Sequence, residues 1–347
     1  MKILVTGGSG FIGSAYVMYL LSNTDHEVLN FDNLSYAATR ESKEHFASSE
    51  KYNFLYGDIT DKESVSNSLH NFKPDILVNF AAETHVDKSI QEPLPTINSN
   101  VFGVVNLLEC SVRYWNANPH FKFHHISTDE VYGDIDHNMP SPDEDSPFFT
   151  NSPYSASKAS SDLLVRAWNK TYGLPVVITN CTNNYGPYQY PEKLIPLMIL
   201  KAIKKERLPV YGNGKQERDW LFVDDHVKAL AILLTEEFNG DRFNISSENQ
   251  VANITVVKSI CEILSKSQNK ILDHSFDYTS LIAHVEDRPG HDKRYALDST
   301  KFRNKFSWSP SVEFNEGLEK TVNWYLENSL WWENLLSKKD PLKRQGL

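Results

Sequence analysis

The residues best suited to chemistry lie in two short motifs near the middle of the chain. In YSASK, Tyr154 and Lys158 are four positions apart, so a helix would place a phenol and an ammonium one turn apart on one face. A neighbouring positive charge stabilises phenolate, so we expect Lys158 to lower the pKa of Tyr154 and make it a base for a hydroxyl proton. Taken alone, this spacing is also common on exposed helix surfaces.

The second motif, STDEVYG, begins at Ser127 and follows an apolar run that predicts a strand. Thr128 can hydrogen-bond a reacting hydroxyl, and Asp129 and Glu130 place two carboxyl groups side by side. A pair of adjacent carboxylates is often only a solvated turn. At the end of a strand and ahead of Tyr154, the pair instead predicts divided roles, with one group protonated as an acid and the other ionised as a base.

A cofactor-binding segment is indicated at the start of the chain. Directly after a first apolar run, TGGSGFIG spaces Gly7, Gly10 and Gly13 three residues apart. A glycine turn between strand and helix lets the backbone approach a pyrophosphate, although such turns also occur without a ligand. Asp32, at the end of the next predicted strand, could bind both ribose hydroxyls and would repel a 2′-phosphate. The charge of Asp32 therefore favours NAD over NADP. Asp58 follows a third predicted strand, where adenine edges are usually read.

Composition narrows the partners and the location. The 347 residues are 40% hydrophobic and 23% charged, as in packed proteins with two domains or one domain and a second lobe. The net charge of -10 argues against nucleic acid as a partner, so an anionic ligand would need a locally basic pocket. No apolar stretch predicts a membrane span, and no signal-peptide pattern opens the chain. Because Cys110, Cys181 and Cys261 are widely spaced, we expect reduced thiols in the cytoplasm and no metal centre.

The elements that must position these residues alternate through the first half of the chain. Apolar runs predict strands at residues 3–5, 27–31, 53–55, 76–79, 123–127 and 176–179. Helical periodicity is present at residues 14–21, 62–69, 101–112 and 157–172. This order predicts an α/β fold with a doubly wound parallel sheet, a cofactor at the carboxyl ends of its strands and a smaller C-terminal lobe.

The expected domain boundaries follow from a change of pattern near residue 183. We expect a dinucleotide-binding domain at residues 1–183, with returning segments near 226–250 in which residues 230–234 and 243–245 rejoin the sheet. Residues 184–335 should form mainly the substrate lobe, and the charged residues 336–347 a mobile tail.

Longer motifs make a family resemblance specific. They are AAETHVD at 81–87, TNCTNNYGPYQYPEKLIP at 179–196, RDWLFVDDH at 218–226 and DRPGHDKRYALD at 287–298. Together with the motifs above, they resemble the extended short-chain dehydrogenase/reductase family over nearly the whole chain, and within it the enzymes that dehydrate nucleotide-linked hexoses. The resemblance implies an NAD-dependent lyase that converts dTDP-glucose to its 4-keto-6-deoxy form and water.

The resemblance also implies a role for individual residues. Thr128, Tyr154 and Lys158 would oxidise C4, Asp129 would protonate the leaving C6 hydroxyl, and Glu130 would remove the C5 proton. Cofactor contacts, besides Tyr154 and Lys158, would come from Gly7, Gly10, Phe11, Ile12, Gly13, Asp32, Asn33, Leu34, Ser35, Asp58, Ile59, Ala81, Ala82, Glu83, Thr84 and Asn183. Substrate contacts, besides Thr84 and the acid/base residues, would come from Lys193, Leu194, Pro209, Val210, Tyr211, Arg218, Asn253, Asp287, Arg288, Pro289, Gly290 and His291.

Basic residues give the expected pocket its charge. Arg218 and Arg288 suit a diphosphate because guanidinium groups match pairs of phosphate oxygens. For Lys293 and Arg294, a surface ion pair is as good an interpretation as a substrate contact. Arg40 departs from the family pattern, which commonly has glycine and asparagine in this stretch, and it slightly weakens the preference for NAD.

Three alternatives remain open at this level. One is a nucleotide-sugar 4-epimerase or decarboxylase of the same fold, which usually carries small hydroxyl residues where Asp129 and Glu130 stand. Another is a dehydratase for a GDP-, UDP- or CDP-linked sugar. The third is a non-catalytic NAD-binding protein, which would not need Thr128, Tyr154 and Lys158 together with the carboxyl pair.

The two central helices also predict an assembly. Segments 101–112 and 157–172 carry more apolar residues than packing on one sheet face requires, namely Val104, Leu107, Leu108, Leu163, Leu164 and Trp168. We therefore expect a homodimer in which these helices form a four-helix interface, as the family resemblance also implies.

Overall fold

Seven parallel strands form the central sheet of the protein. The structure, a computed structural model, describes residues 1–38, 46, 49–267, 269, 271–273, 275–287 and 290–338. In chain order the strands are β1 (Lys2–Thr6), β2 (Glu27–Asp32), β3 (Tyr52–Tyr56), β4 (Ile76–Asn79), β5 (Lys122–Thr128), β6 (Val176–Cys181) and β10 (Asp241–Ile245). Their spatial order is β10-β6-β5-β4-β1-β2-β3, so the order reverses beside β1. This is the predicted doubly wound arrangement, and the reversal opens a crevice at the strands' carboxyl ends.

Helices cover both faces of this sheet. The helices α1 (Phe11–Asn23) and α8 (Val223–Ile232) contribute to the core on one face, and α2 (Lys62–Phe72), α5 (Val104–Ala117) and α6 (Pro153–Tyr172) to that on the other. Short helices α3 (Val86–Gln91) and α4 (Pro93–Ile97) and a π-helical turn (Asn98–Gly103) lead into α5. Because both faces are covered, Ile3, Leu4 and Val5 of β1 are each at most 1% exposed.

The C-terminal lobe has its own small sheets and its own core. One sheet joins β11 (Gln250–Ala252), β9 (Glu217–Phe222) and β7 (Asn183–Tyr185), and the other pairs β12 (Ile282–Val285) with β8 (Leu208–Tyr211). Around them lie α7 (Leu194–Ile203), α9 (Asn253–Lys266), α10 (Thr300–Phe306), α11 (Phe314–Glu327) and α12 (Ser329–Lys338). The lobe core centres on Tyr185, Trp220 and Phe222, against which α7, α9 and α11 pack. Single 3₁₀ turns occur at Asp129–Tyr132, Leu233–Thr235 and Tyr278–Leu281.

The structure differs from the predictions for the returning segments, the interface residues and the tail. Residues 243–245 do join the central sheet in β10, but residues 230–234 do not, because they finish α8 and form a 3₁₀ turn. Val104, Leu107 and Leu108 are at most 1% exposed and belong to the core, so they cannot form a dimer interface. The predicted tail begins inside α12, and residues 339–347 lie outside the described residues.

Two general observations complete the fold. Cys110, Cys181 and Cys261 are all buried and unpaired. In the described part of the chain, every helix is too short or too polar to cross a bilayer.

Candidate active site

A cleft lies at the carboxyl ends of the central strands and gathers many of the predicted residues. All five predicted catalytic residues line it, and so do the predicted cofactor contacts except Leu34. Of the predicted substrate contacts outside the catalytic set, Thr84 and Lys193 line it as well. The strand ends and the loops that follow them therefore bring side chains from distant parts of the sequence to one place.

The glycine turn fits a ligand that must approach the backbone closely. Gly7 has φ +71°, a left-handed conformation that residues with a Cβ rarely adopt. A Cβ on Gly13 would lie 2.3 Å from the Gly7 carbonyl oxygen, so the start of α1 packs against the turn only because residue 13 is glycine. The N-terminal amides of α1 thus face the cleft at a point where negative charge is favoured.

Asp32 occupies the end of β2, as expected for a ribose-binding carboxylate. Its Oδ2 accepts a hydrogen bond from the Ser9 amide at 2.9 Å, and its Oδ1 accepts one from the Leu34 amide at 2.7 Å. Burial raises the pKa of Asp32, and these two hydrogen bonds oppose that effect. Leu34 itself has φ +51° and contributes its amide to Asp32 rather than a side chain to the cleft wall.

The next loops along the sheet are tied to one another by amide side chains. The Asn33 amide donates to Asp58 Oδ2 at 2.9 Å, which joins the loops after β2 and β3. Asn100, from the π-helical turn, accepts from the Glu83 amide at 2.8 Å and donates to the Glu83 carbonyl at 2.9 Å. It also donates to Ser157 Oγ at 2.9 Å. Asn100 was not among the predicted site residues, yet it fixes the predicted loop at 81–84 against the catalytic helix.

Tyr154 and Lys158 lie in the first two turns of α6, as predicted. The helix begins with a capping box between Ser152 and Ser155, with proline at its first position, and these features fix where the phenol stands. The Lys158 ammonium donates to the Ile126 carbonyl at 2.8 Å. Burial lowers the pKa of Lys158, and the neighbouring Asp162 carboxylate acts against that shift.

The electrostatic environment of Tyr154 differs from the expectation. Burial, followed by the negative charge of Glu130, raises its pKa well above the ordinary value of 10.0, whereas a hydrogen bond with Thr128 acts in the opposite direction. The expected lowering of the Tyr154 pKa is therefore not seen, because burial and the negative charge of Glu130 dominate. A further positive charge beside the phenol would be needed to make it a base.

Asp129 is the most unusual group in the cleft. It is 2% exposed, and its Oδ1 accepts a hydrogen bond from the Thr128 hydroxyl at 3.0 Å. Its Oδ2 is buried and, within the residues described, has no hydrogen-bond partner. Burial and then the adjacent Glu130 carboxylate raise the pKa of Asp129 well above 3.8. Both effects favour the protonated form of Asp129, and its Oδ2 can bond to a ligand.

A buried polar network lies behind the catalytic pair. Asp162, one turn after Lys158 on α6, accepts a hydrogen bond from the Asn180 amide at 3.0 Å, and the same amide donates to the Thr128 carbonyl at 3.1 Å. His125 Nε2 lies 3.6 Å from Asp162 Oδ1. The network thus ties α6 to β5 and β6, the two strands that end at the acid/base residues.

The remaining predicted substrate contacts lie in the lobe, away from the wall of the cleft described above. Arg218 donates to the carbonyls of Glu217 and Asp292, and its guanidinium lies 4.1 Å above the ring of Tyr295. The Tyr295 hydroxyl is 3.5 Å from Glu130 Oε2, so Arg218 approaches the catalytic carboxylates through this ring.

A second group in the lobe surrounds Asp287. This carboxylate accepts from Gln216 at 2.8 Å and is 2.6 Å from His291 Nδ1, and the His291 ring packs edge-on against Tyr211.

The other predicted substrate contacts are spread over several elements of the lobe. Pro209, Val210 and Tyr211 belong to β8, Leu194 begins α7, Asn253 begins α9, and Gly290 has φ +63°. Arg288, Pro289 and Arg40 lie outside the described residues. Arg294, in the lobe, donates to the carbonyls of Asp136 and Met139 in the dinucleotide-binding domain.

Several residues of the cleft were missed by sequence reasoning. Gln189, Tyr190 and Glu192 line it together with Lys193. They belong to the long motif at residues 179–196, from which only Asn183, Lys193 and Leu194 had been selected. The motif itself was therefore the available signal. Among described residues, no cluster of histidine, cysteine and carboxylate side chains could hold a metal ion.

Comparisons with known proteins agree with this site. A family model described as GDP-mannose 4,6 dehydratase matches residues 4–321. The dTDP-glucose 4,6-dehydratase of Neisseria meningitidis serogroup B is 49% identical over 350 positions, covering 99% of each chain. The dTDP-glucose 4,6-dehydratase of Streptomyces venezuelae, solved with NAD and dTDP bound, has a TM-score of 0.88 at 40% identity, covering 96% of this chain and 100% of that one.

The fold alone is shared more widely. A UDP-glucose 4-epimerase from Thermotoga maritima, solved with UDP-glucose, has a TM-score of 0.83 at 28% identity, covering 95% of this chain and 100% of that one. The two dehydratases are 49% and 40% identical to this chain, which is well above the 28% of the epimerase. The chain belongs to the GDP-mannose 4,6 dehydratase family of the extended short-chain dehydrogenase/reductases.

Proposed function

We propose that this protein is an NAD-dependent lyase that converts dTDP-glucose to dTDP-4-keto-6-deoxyglucose and water. The observation that carries the proposal is Asp129, a buried acid whose second oxygen has no partner among described residues and whose pKa is raised by burial and by Glu130. An epimerase does not need such an acid, whereas the elimination of water requires one.

The residues of the cleft suit NAD as the resident cofactor. The glycine turn and the start of α1 would hold the pyrophosphate, and Asp32 would accept hydrogen bonds from the ribose hydroxyls and repel a 2′-phosphate. The loops carrying Asp58 and Glu83 would enclose the adenine end. When bound, NAD would accept hydride from C4, return it to C6, and bring its positive nicotinamide close to the phenol.

The oxidation of C4 would depend on α6 and the end of β5. Tyr154 would take the proton of the C4 hydroxyl, and Thr128 would hydrogen-bond the same oxygen. The pKa of Tyr154 is raised by burial, so the phenol can serve as a base only where positive charge is close. Lys158, fixed by its bond to the Ile126 carbonyl, supplies part of that charge.

The elimination would use the two adjacent carboxyl groups. A ketone at C4 acidifies the C5 proton, which is why oxidation must come first. Glu130 would remove that proton, and Asp129 would deliver its own proton to the departing C6 hydroxyl to release water. When hydride returns to C6, the proton held by Glu130 would return to C5. This division of roles is supported by Asp129, which is the more deeply buried of the two and whose pKa is raised by burial and by the charge of Glu130.

Assembly and location form a further part of the proposal. We propose a homodimer through α5, α6 and the residues that lead into α5. Large apolar side chains on this surface are exposed: Phe102 is 63% exposed, Leu163 55% and Tyr172 54%.

We place the enzyme in the cytoplasm, where three buried unpaired cysteines would stay reduced. For the domains, we propose a cofactor domain at 1–183 and a substrate lobe from 184, with β10 returning to the central sheet.

The test is the formation of a 4-keto sugar from a panel of nucleotide-hexoses. Purified enzyme with NAD is incubated separately with dTDP-, UDP-, GDP- and CDP-glucose, and the 4-keto product is detected by its absorbance in alkali. We expect product from dTDP-glucose well above the others. Product from another nucleotide alone would refute the proposed substrate, and epimerised sugar without keto product would refute the proposed reaction.

A further inference from the structure

Three loops from different parts of the chain meet at Glu192. They are the loop after β2, the loop and helix after β4, and the segment that precedes α7. Glu192 Oε1 accepts a hydrogen bond from the Tyr36 hydroxyl at 3.0 Å. Glu192 Oε2 lies 3.6 Å from His85 Nε2 and 4.0 Å from the Lys88 ammonium. The side chain of Glu192 is only 8% exposed, whereas those of His85 and Lys88 are 19% and 35% exposed.

Ring contacts reinforce the same junction. The Lys88 ammonium lies 3.0 Å from the centroid of the Tyr36 ring, and that ring packs edge-on against Tyr190 with centroids 5.7 Å apart. Lys193, the residue after Glu192, joins two of the same loops, because its ammonium donates to the Thr84 carbonyl at 2.9 Å. Burial raises the pKa of Tyr36, so its hydroxyl remains a hydrogen-bond donor.

The loops joined in this way are walls of the cleft. Ser35 and Ala37 line it from the first loop, Ala82 and Thr84 line it from the second, and Glu192 lines it from the third. Moving any of these loops outwards would open the dinucleotide end of the cleft, and the contacts at Glu192 oppose that movement. They are made entirely by side chains of this protein, outside the set of residues assigned above to cofactor or substrate.

We propose that Glu192 is a positioning residue that locks the three loops over the dinucleotide and retains it between turnovers. The contacts of Tyr36, His85, Lys88 and Tyr190 with one another and with Glu192 are called here the Glu192 latch. The inference rests on the proposed function: hydride that leaves the sugar returns to it in the same cycle, so the cofactor has no need to be exchanged. An enzyme of this kind benefits from slow release.

The first test is Tyr36→Phe, which removes one hydroxyl and keeps the ring that Lys88 and Tyr190 contact. The measurement is stopped-flow fluorescence of NADH binding, and of NADH release into excess NAD, without any sugar. We expect the rates of NADH binding and of NADH release both to rise, roughly tenfold. The reason is that the variant loses a hydrogen bond to a charged group, so the loops separate more easily when NADH enters and when it leaves. The matched control is Tyr172→Phe, at the exposed end of α6, which should leave both rates unchanged.

A second variant keeps the proposal testable if Tyr36→Phe fails to fold. Glu192→Gln keeps the size of the side chain but removes its charge, so it weakens the contacts to His85 and Lys88 together. We expect a similar or larger increase in both rates. The matched control is Glu206→Gln, which removes an exposed ion pair with Lys201.

The outcomes separate the latch from the proposed function. Unchanged exchange rates in both latch variants would overturn the latch alone. Faster release with unchanged association would also overturn it, because that pattern indicates a direct contact with the cofactor rather than a lock. Failure of the parent enzyme to bind NADH would overturn the proposed cofactor and the latch together. A parent that binds NADH but leaves dTDP-glucose intact would refute only the proposed substrate, since the exchange measurements need no sugar.

Discussion

At the level of single residues, the two halves of the proposed reaction depend on different side chains. Tyr154 and Lys158 reach the cleft from α6, whereas Asp129 lies in the 3₁₀ turn that follows β5. The structure therefore allows one half-reaction to be disabled without the other. This division can be read directly from the redox state of the cofactor.

The first prediction compares Asp129→Asn with Tyr154→Phe. Asparagine keeps the shape of Asp129 but cannot deliver a proton to the C6 oxygen, while C4 oxidation does not need that proton. Asp129→Asn should therefore accumulate bound NADH when mixed with dTDP-glucose, and turnover should fall by about 10²- to 10⁴-fold. Tyr154→Phe should form little NADH, because the first step is blocked. The measurement is single-turnover absorbance of reduced nicotinamide. Normal turnover by Asp129→Asn, or identical traces from both variants, would contradict the assignment.

The second prediction concerns stability at the same residue. Because the folded pKa of Asp129 is raised above 3.8, its ionisation opposes folding. The penalty is absent below pH 3.8 and grows as pH rises from there towards the raised pKa. At neutral pH, Asp129→Asn should therefore stabilise the protein, by about 1 kcal/mol or roughly 2 °C in Tm. Thermal melts of parent and variant at acidic and neutral pH check this, and a Tm advantage that shrinks as pH rises would be the opposite of the expected sign.

At the level of elements, α6 carries more of the site than its YSASK motif suggested. Asp162 is fully buried one turn after Lys158, and through Asn180 it connects the helix to the Thr128 carbonyl. Its negative charge opposes the fall in the pKa of Lys158 that burial causes. The helix is therefore held against the sheet by the same group that helps to keep the lysine protonated.

The third prediction follows from this arrangement. Asp162→Asn still offers an oxygen to the Asn180 amide but no longer supports the charge of Lys158, so the pKa of Lys158 should fall. The rate of C4 oxidation is followed as single-turnover NADH formation across a range of pH. The alkaline limb of this pH–rate profile should move to lower pH by about one unit. Asp225→Asn is the control, because Asp225 is a buried carboxylate that bonds to Ser311 and Val312, outside the cleft. A loss of stability in Asp162→Asn without movement of the limb would show a purely structural role.

The elements also show what the sequence could and could not predict. Apolar runs located all six predicted strands within two residues at either end, because central parallel strands are buried on both faces. The run at residues 230–234 was misassigned because a short apolar segment has no period that separates a strand from the buried end of a helix. Roles based on local spacing placed Tyr154 and Lys158 together. Asn100 and Glu192 were missed because each acts through partners far away in the chain. Asp162 stands one turn after Lys158, but its hydrogen bond with Asn180 joins two separate elements.

At the level of the whole molecule, the exposed side of α5 and α6 is the surface that remains to be explained. The apolar residues first chosen for an interface include Val104, Leu107 and Leu108, which serve the core instead. The sequence could not separate these inward positions from outward ones, since both occur on the same amphipathic helices. Leu164 and Trp168 are partly buried against the same core. Of the six predicted residues, Leu163 is therefore the one that is largely exposed, and Phe102, which was not among them, is exposed as well.

The last prediction tests the homodimer through one of these residues. Leu163 lies on α6 and is 55% exposed. Glutamate at this position should therefore change the free energy of unfolding of the isolated protomer little. In a dimer through α5 and α6, the same charge would be buried against apolar side chains, and association should weaken by roughly a hundredfold or more. Light scattering at micromolar concentration should therefore give a dimeric mass for the parent and a monomeric mass for Leu163→Glu. Leu330→Glu is the matched control, because Leu330 is 75% exposed on α12, outside the proposed interface, and its variant should stay dimeric. A monomeric parent would refute the assembly outright, and a dimeric Leu163→Glu would move the interface to another surface.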